Sequence, residues 1–324
     1  MRISVALCTY NGEKYLPQQL DSLLRQERVP DQIVVRDDVS ADGTWALLED
    51  FAVEARGRGV EVDLQRNAAN LGYVRNFERA LSATDGDLVF LCDQDDVWHA
   101  DKIFRMAREF GRRPRLVLLH TDARLVDGNG VDLGYGLFDA LEMTRAEIAD
   151  EHAGRAFDVL LRRNTVTGAT VAMRGDVLKN VPSAPDGWVH DEWLAFVLGL
   201  DGEIDCLQWK SMDYRQHGDN QIGVRRHSLY DRVARTGLPK QEFMKSRLQC
   251  LQALQAKFEA GELVGTSEQR GRVAERVAHA RFRAQLPDKT TARMAAVLRE
   301  AMTGRYMRYS SGARSIASDL FGLK

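Results

Sequence analysis

Short apolar runs alternate with helical patterns over the first 115 residues. Four strands are predicted by the runs ISVALCTY, QIVVRDD, VEVDLQRN and LVFLCD. Three helices between them are predicted by GEKYLPQQLDSLLRQ, GTWALLEDFAVEA and YVRNFERALSA, where apolar residues recur every three or four positions. Strands that alternate with helices indicate an α/β protein, in which parallel strands pair and helices cover both faces of the sheet.

Polar motifs stand directly after three of these strands. They are TYNG after the first strand, DDVS after the second and DQDD after the fourth. Open α/β sheets bind ligands in a crevice at the carboxyl ends of their strands. We therefore expect the three motifs to meet at one ligand site.

The pattern changes twice further along the chain. Residues 116–224 mix predicted strands, such as LVLLHTDARLVDGNG and EIDCLQWKSMDYRQHG, with the helix HDEWLAFVLGL. From residue 225 onward only helical patterns remain. We expect an α/β domain over residues 1–224, in the halves 1–115 and 116–224, and a helical C-terminal region over residues 225–324.

Composition narrows the class of protein. Hydrophobic residues make up 44% and charged residues 28% of the chain, as in a globular protein, and a net charge of -2 gives no reason to expect a nucleic-acid partner. The four cysteines are far apart with no metal-type spacing, which indicates buried thiols in a reducing compartment. No leader pattern or long apolar stretch is present, so a cytoplasmic protein is expected.

The DQDD motif is a dense charged cluster at a predicted strand end. Asp93 and Asp95 lie two residues apart, so an extended backbone would turn both carboxylates to one face and Asp96 to the other. Carboxylates of this kind suit a hard divalent cation, Mg²⁺ or Mn²⁺, with a phosphate completing its coordination. The alternative is that these acids cap the helix beginning near Asp101 and pair with arginines.

Two further motifs could contact a nucleotide. In DDVS, Asp37 and Asp38 could accept hydrogen bonds from a nucleoside, although the same letters are typical of a turn followed by a helix N-cap. In NLGYVRN, the loop-to-helix residues Asn70, Gly72 and Asn76 could contact a sugar or a phosphate. Neither motif by itself is sufficient evidence for a nucleotide site.

The second half of the α/β domain carries candidate reactive groups. Asp191 stands at a predicted helix start in the apolar setting of GWVHDEWLAF, where burial would raise its pKa and suit it to act as a general base. The alternative is a helix cap beside a tryptophan core. In YRQHGDNQIG, His217 could ligate the same cation and Arg215 could bind a phosphate, whereas the alternative is a structural histidine.

In this order, the motifs resemble the inverting glycosyltransferases of family 2, which have the GT-A fold, and among them bacterial rhamnosyltransferases. The resemblance covers about residues 3–224, and it rests on SVALCTYNGEKYLPQQLDSLLRQ, DQIVVRDDVSADGT, NLGYVRNFERAL, FLCDQDDVWHADKI, VTGATVAMR, GWVHDEWLA and YRQHGDNQIG. It implies a GT-A catalytic domain whose residues 1–115 bind the nucleotide sugar and whose residues 116–224 bind the acceptor.

The resemblance also implies roles for site residues. Asp191 corresponds to the catalytic base, and Asp93, Asp95 and His217 correspond to the residues around an Mg²⁺ or Mn²⁺ ion. Donor contacts are implied, or suggested by the patterns above, for Thr9, Tyr10, Asn11, Asp37, Asp38, Asn70, Gly72, Asn76, Asp93, Gln94 and Arg215. The chain departs from the family's DDGS at Val39, where a β-branched residue resists the positive φ that glycine permits.

The activity implied by the resemblance is transfer of a sugar with inversion of configuration. The donor would be dTDP-rhamnose or a UDP-sugar, and the acceptor a hydroxyl of a bacterial surface glycan or a lipid-linked oligosaccharide. Two alternatives remain: a catalytically silent GT-A domain that binds glycans or acts as a scaffold, and a phosphatase of the haloacid dehalogenase type. That phosphatase class carries DxD after its first core strand, whereas DQDD follows the fourth strand here.

The C-terminal residues have a basic amphipathic pattern. Residues 289–324 contain two acids, Glu300 and Asp319, against the basic residues Lys289, Arg293, Arg299, Arg305, Arg308, Arg314 and Lys324. Such a segment could lie on the anionic inner face of the cell membrane, which would suit a lipid-linked acceptor. The alternative is a helix that packs internally or forms a homodimer.

Overall fold

A computed structural model describes residues 1–218 and 240–321 of the chain. The chain divides into two units. The first comprises Met1–Ala156, Val166–Ser183 and His190–Arg226, and the second comprises Phe157–Thr165, Ala184–Val189 and His227–Lys324. Two short segments that the sequence pattern assigned to the α/β domain therefore group with the C-terminal helices. The boundary expected at residue 224, and residues 219–224 of the YRQHGDNQIG motif, lie outside the described residues.

Four parallel strands form one side of the sheet in the first unit. They are β1 (Ile3–Thr9), β2 (Gln32–Asp37), β3 (Glu61–Arg66) and β4 (Leu88–Cys92), in the order β3–β2–β1–β4. Every residue of β1, β2 and β4 is buried, which is why these strands appear in the sequence as continuous apolar runs. The parallel α/β prediction for this part of the chain is confirmed.

Helices connect these parallel strands. They are α1 (Leu16–Leu24), α2 (Thr44–Gly57) and α3 (Tyr73–Ser82). In α1 the predicted apolar face of Leu16, Leu20, Leu23 and Leu24 is buried. The strand β4 is followed by the short strand β5 (Val97–Trp98) and the helix α4 (Lys102–Arg112).

The remaining strands make the sheet a mixed one. They are β6 (Leu116–Asp127), β7 (Asp132–Gly136), β8 (Ala172–Arg174) and β9 (Glu203–Gln216). Strand β8 pairs antiparallel with both β4 and β6, β9 runs parallel to β6, and β5 pairs antiparallel with β9. The β5–β9 pairing brings the residues just after DQDD beside the end of β9, which carries Arg215 and His217.

Short helices fill the connections between these strands. They are α5 (Leu137–Ala140), α6 (Arg145–His152), α7 (Ala156–Arg162), α8 (Gly175–Leu178) and α9 (His190–Leu198). The helix α9 begins where the sequence predicted it, one residue before Asp191.

From residue 240 onward, the described part of the second unit is helical. It contains α10 (Lys240–Glu259), α11 (Ser267–Ala284), α12 (Thr290–Met302), α13 (Arg305–Tyr309) and α14 (Ala313–Phe321). A capping box starts α11, where the Thr266 hydroxyl accepts from the Gln269 amide at 3.1 Å. Within residues 1–218 and 240–321, no helix combines the length and apolar composition required to cross a bilayer.

The antiparallel pairing of β8 beside β4 depends on a glycine at residue 175. A Cβ atom there would overlap the backbone oxygen of Gly86, and the Gly175 amide donates to the Asp87 oxygen at 2.9 Å. We predict that Gly175→Ala lowers the free energy of unfolding by about 2–3 kcal/mol, because the backbone must move to admit the methyl group. Urea denaturation measures this change. Gly111→Ala is the control, because space is open around Gly111 in α4, and a similar loss there would contradict the explanation.

Candidate active site

The three polar motifs meet at the carboxyl ends of the parallel strands. Gln94 of DQDD accepts from the Tyr10 amide at 2.7 Å and donates to the Tyr10 carbonyl at 3.0 Å. The Asn11 amide donates to the Ser40 hydroxyl at 2.9 Å. These hydrogen bonds join TYNG to DQDD on one side and to DDVS on the other. Gly12 leaves room for the Gln94 amide, which a Cβ at residue 12 would overlap.

Asp37 organises the loop after β2. Its carboxylate is fully buried and accepts from the Thr9 hydroxyl at 3.0 Å, from the Ser40 amide at 3.0 Å and from the Ser40 hydroxyl. Thr9 and Asp37 are thus placed together, as neighbouring strand ends in register. Their polar atoms bond to each other, while the Tyr10 ring is 45% exposed.

Asp38 joins the NLGYVRN loop to the same strand end. Its carboxylate accepts from the Leu71 amide at 2.8 Å, from the Gly72 amide at 2.9 Å and from Asn67 at 2.7 Å. The Asn70 side chain donates to the Asp38 carbonyl at 3.2 Å. Asp38 therefore sets the geometry of the loop, and Asn70, Leu71 and Gly72 are exposed.

Asn76 lies in the scaffold behind that loop. Its side chain is buried, donates to the Arg36 carbonyl at 2.9 Å and accepts from Asn67 at 2.8 Å. A direct donor contact by Asn76 stays a prediction, but the structure places its amide against β2. Asn67, which the sequence analysis did not single out, connects Asp38 with Asn76.

The acids of DQDD lie in the bend between β4 and β5, so the extended-strand geometry does not apply to them. The Asp95 Oδ2 atom lies 2.8 Å from His217 Nε2. Asp96 is fully buried; one oxygen accepts from the Arg215 amide at 3.0 Å, and the other has no hydrogen-bond partner in the described part of the chain. The capping alternative is wrong, because the N-cap of α4 is Asp101 itself, with no side-chain cap bond.

Burial and mutual repulsion set the protonation of these acids. Burial, together with the charges of Asp95 and Asp191, raises the pKa of Asp93 to about 7. The same causes, burial and then the neighbouring Asp95 and Asp93, raise the pKa of Asp96 well above its usual value. The crevice therefore binds protons at neutral pH unless positive charge is brought to it.

Lys102 is a basic group close enough to Asp93 and Asp96 for their charges to interact. It is fully buried in the first turn of α4, where its Nζ donates to the Ala169 carbonyl at 2.6 Å and lies 3.9 Å from the centre of the Trp98 ring. Burial lowers the pKa of Lys102 to about 7, against the raising influence of Cys92, Asp96 and Asp93. The sequence analysis missed Lys102, although its i, i+4 and i+8 spacing with Met106 and Phe110 puts it on the buried face of α4.

Arg215 holds the DQDD bend in place. Its side chain is 4% exposed, and its Nε donates to the Asp95 carbonyl at 2.8 Å while Nη2 donates to Gln18 at 2.6 Å. The guanidinium also lies 4.7 Å from the centre of the Tyr15 ring. A phosphate contact by Arg215 stays a prediction, and in the structure this side chain contacts the Asp95 carbonyl and the Tyr15 ring.

Asp191 lies in the first turn of α9, partly buried, and its charge acts on Asp93. Its Oδ2 accepts from the Gly168 amide at 2.8 Å and its Oδ1 from the Glu192 amide at 2.6 Å. Burial is the larger effect and raises the pKa of Asp191 to about 6, against the lowering effect of these amide donors. The predicted tryptophan core is present at Trp193, which is buried.

Two other groups of possible metal ligands lie within the described residues. They are His120, Glu151 and Cys206, and His152, Asp205 and Cys206, with ligand atoms within 4.8 Å of one another. Their side chains already pair with each other: His120 lies 2.8 Å from Glu151, and His152 lies 2.5 Å from Asp205. Among the described residues, Asp93, Asp95 and His217 do not form a third group of this kind.

Comparison with known proteins identifies the family. The model of Glycosyl transferase family 2 matches residues 4–167, and the chain belongs to this family. It is a glycosyltransferase, and its sheet and helices form the GT-A fold. The resemblance found in the sequence is confirmed.

Curated relatives come from several bacteria. The dTDP-rhamnosyl transferase RfbG of Shigella flexneri is 25% identical over 252 residues, which cover 75% of this chain and 82% of RfbG. The uncharacterized glycosyltransferase alr2836 of Nostoc sp. is 26% identical over 227 residues, 68% of this chain and 66% of that protein.

Solved structures share the fold. Staphylococcus aureus TarS 1–349, in complex with UDP-GlcNAc, superposes with a TM-score of 0.57 at 17% identity, covering 92% of this chain and 81% of TarS 1–349. The mannosyltransferase PcManGT from Pyrobaculum calidifontis, in complex with GDP-Man and Mn²⁺, gives a TM-score of 0.55 at 15% identity, covering 99% of this chain and 79% of PcManGT.

Val39 lies in the left-handed region with a φ of 66°. An L residue there costs about 1–2 kcal/mol, whereas glycine gives up only about 0.4–1 kcal/mol through the entropy of its unfolded chain. We predict that Val39→Gly raises the free energy of unfolding by roughly 0.5–1 kcal/mol. Val39→Ala keeps a Cβ at this φ and is the matched control in the same thermal and urea unfolding measurements. Equal stability of the Gly and Ala variants would contradict a strained Val39.

Proposed function

We propose that this glycosyltransferase moves a sugar, with inversion, from a nucleotide-diphosphate donor to a hydroxyl of a bacterial glycan or lipid-linked acceptor. One observation carries the proposal. Asp191, a carboxyl whose pKa burial raises to about 6, lies close enough to Asp93 for the two charges to interact, at the strand ends where the polar motifs meet. A base and a group for holding a leaving diphosphate are then present in one crevice.

Donor binding is assigned to the loops after β1, β2 and β3. Exposed residues on these loops, Tyr10, Asn11, Asn70 and Gly72 among them, are available to a nucleoside or sugar. Asp37 and Asp38 support this role by holding the loops through the amides of Ser40, Leu71 and Gly72. The side chains of Thr9, Asp37, Asp38 and Asn76 are buried. To contact the donor directly, they would have to replace internal hydrogen bonds with bonds to the donor.

The donor set at the DQDD bend fits a hard divalent cation. Carboxylate oxygens of Asp93 and Asp95 and the imidazole of His217 would hold it. Burial, and then the charges of Asp95 and Asp191, raise the pKa of Asp93, and a bound cation would oppose both effects. When bound, Mg²⁺ or Mn²⁺ would offset the charge of the donor diphosphate and of the diphosphate that leaves. The presence of Mn²⁺ with GDP-Man in PcManGT, which has the same fold, supports this choice.

The chain's own groups would then carry the proton transfer. Asp191 is ionised above a pH of about 6, and in that form it can accept the proton of an acceptor hydroxyl as the hydroxyl attacks the anomeric carbon. Attack from the face opposite the diphosphate inverts configuration in one step. The charge of Lys102, whose pKa burial lowers to about 7, interacts with Asp93 and Asp96 in the same crevice.

The donor we favour is dTDP-rhamnose, with a UDP-sugar as the alternative. The name of RfbG, a dTDP-rhamnosyl transferase, supports the first, and the UDP-GlcNAc bound in TarS supports the second. Thermal shift with a panel of nucleotide sugars and Mn²⁺ distinguishes them, because a ligand that binds the native state raises its apparent stability. A catalytically silent GT-A domain would give thermal shifts but no transfer or donor hydrolysis.

We predict that Asp191→Asn retains donor binding but lowers kcat about 10²- to 10⁴-fold, because the amide cannot accept the proton. The wild-type rate should fall about tenfold per pH unit below pH 6, as the raised pKa of Asp191 requires. The matched control is Glu192→Gln, at the next position of the same helical turn. A wild-type rate in Asp191→Asn, or an equal loss in Glu192→Gln, would exclude Asp191 as the base.

We predict that Asp95→Ala weakens Mn²⁺-dependent donor binding by about tenfold or more, because it removes a ligand and frees His217 from its partner. Calorimetry with and without Mn²⁺ measures the loss. Asp21→Asn, at an exposed ion pair with Arg25 in α1, removes a similar charge outside the crevice and should leave donor binding unchanged. Equal affinity of wild type and Asp95→Ala, with and without Mn²⁺, would contradict the metal role.

A further inference from the structure

An exposed apolar stripe runs along α12 in the second unit. Met294, Leu298 and Met302 recur at every fourth residue, so they share one side of the helix, and they are 47%, 54% and 82% exposed. Met307 in α13 is 65% exposed and Phe321 in α14 is 74% exposed. Large apolar side chains in water are costly when they cluster, which indicates a surface that meets another phase or partner.

The charges on the same segment have one sign at the surface. Both acids of residues 289–321 are buried: Glu300 pairs with His279 at 2.9 Å, and Asp319 pairs with Arg283 at 2.7 Å. Tyr306 donates a further hydrogen bond to Asp319 at 2.8 Å. The acids are therefore used inside the helical unit. Arg305 pairs with Glu300 and Arg308 pairs with Glu275, so the positive charge beside the stripe comes from Lys289, Arg293 and Arg299.

Basic residues also flank the stripe. Arg299 follows Leu298 and projects about 100° around the helix from it, and Arg293 precedes Met294 by the same angle on the other side. Arg299 and Lys289 are exposed. Long basic side chains beside an apolar stripe can extend their charged ends toward phosphate groups while the stripe enters the acyl boundary.

We propose that residues 289–321 bind an anionic lipid surface through the apolar stripe of α12 and the basic side chains beside it. Charge selects this occupant over a second copy of the chain. A symmetric dimer would place two basic surfaces against each other, whereas anionic lipids attract each Lys or Arg. The binding is reversible, because α12 spans only about 20 Å and carries few apolar anchors. This inference does not depend on the proposed transfer reaction.

Vesicle flotation with the full-length chain tests the proposal. The expected result is binding to vesicles of phosphatidylcholine with 30 mol% phosphatidylglycerol, weaker binding when the salt concentration is raised, and little binding to phosphatidylcholine alone. Equal binding to both vesicle types, or none to either, would overturn the proposal. Static light scattering of the same samples reports dimerisation, and a dimer broken by changes in the stripe would overturn it in favour of a self-association surface.

Variants locate the surface. The double variant Leu298→Glu, Met302→Glu should lower binding to anionic vesicles at least tenfold, and Arg299→Gln about fivefold. Val264→Glu is the matched control for the apolar changes, because Val264 is 81% exposed in the same unit and outside the segment. Arg270→Gln is the control for charge. Thermal melts and Mn²⁺-dependent donor binding should be unchanged in all variants, and full membrane binding by the double variant would exclude this surface.

Discussion

Negative charge confined at the end of one buried strand is the constraint on which the structure of the site depends. Asp93 directly follows β4, Asp95 and Asp96 come after Gln94, and the charge of Asp191 acts on Asp93. Carboxylates that share a water-poor crevice cannot all ionise unless positive charge is near. Within the described residues, Lys102 lies close enough to Asp93 and Asp96 for their charges to interact, and the His217 ring contacts the Asp95 carboxylate. This concentration of charge is the basis of the cation and diphosphate binding proposed above.

The scaffold around this charge is made of hydrogen bonds between loops that are distant in sequence. Gln94 bonds to the backbone of Tyr10, Asp38 to the amides at Leu71 and Gly72, and Arg215 to the carbonyl of Asp95. Each bond joins loops that follow different strands. The conformation of each loop therefore depends on its neighbours as well as on its own residues. This explains why several polar residues expected to touch a donor face inward: their hydrogen bonds hold neighbouring loops together.

Sequence patterns predicted the parallel strands, the meeting of TYNG, DDVS and DQDD, and Asp191 at a helix start, because these depend on local periodicity and on a general rule for α/β sheets. They could not predict that β8 would enter antiparallel beside β4, since that pairing joins residues about 85 positions apart. Lys102 was missed because a lysine in phase with apolar residues is usually exposed, and only the tertiary fold buries it. Val39 was recognised from the sequence as a departure from the family's glycine. Its positive φ explains why glycine suits this position.

The hydrogen bonds of Asp191 help to distinguish a base from a helix cap at this position. Two backbone N–H groups, of Gly168 and Glu192, approach its two oxygens separately. An amide could accept only one of them and would set its own NH₂ against the other, so a capping role alone already favours Asp over Asn. Capping, however, lowers a carboxyl pKa, whereas here burial outweighs the donors and raises it to about 6. A carboxyl that only capped α9 would be favoured by exposure to water, which would return its pKa toward the usual value. The raised pKa of Asp191 and its charge interaction with Asp93 therefore support the proposed base role over the cap.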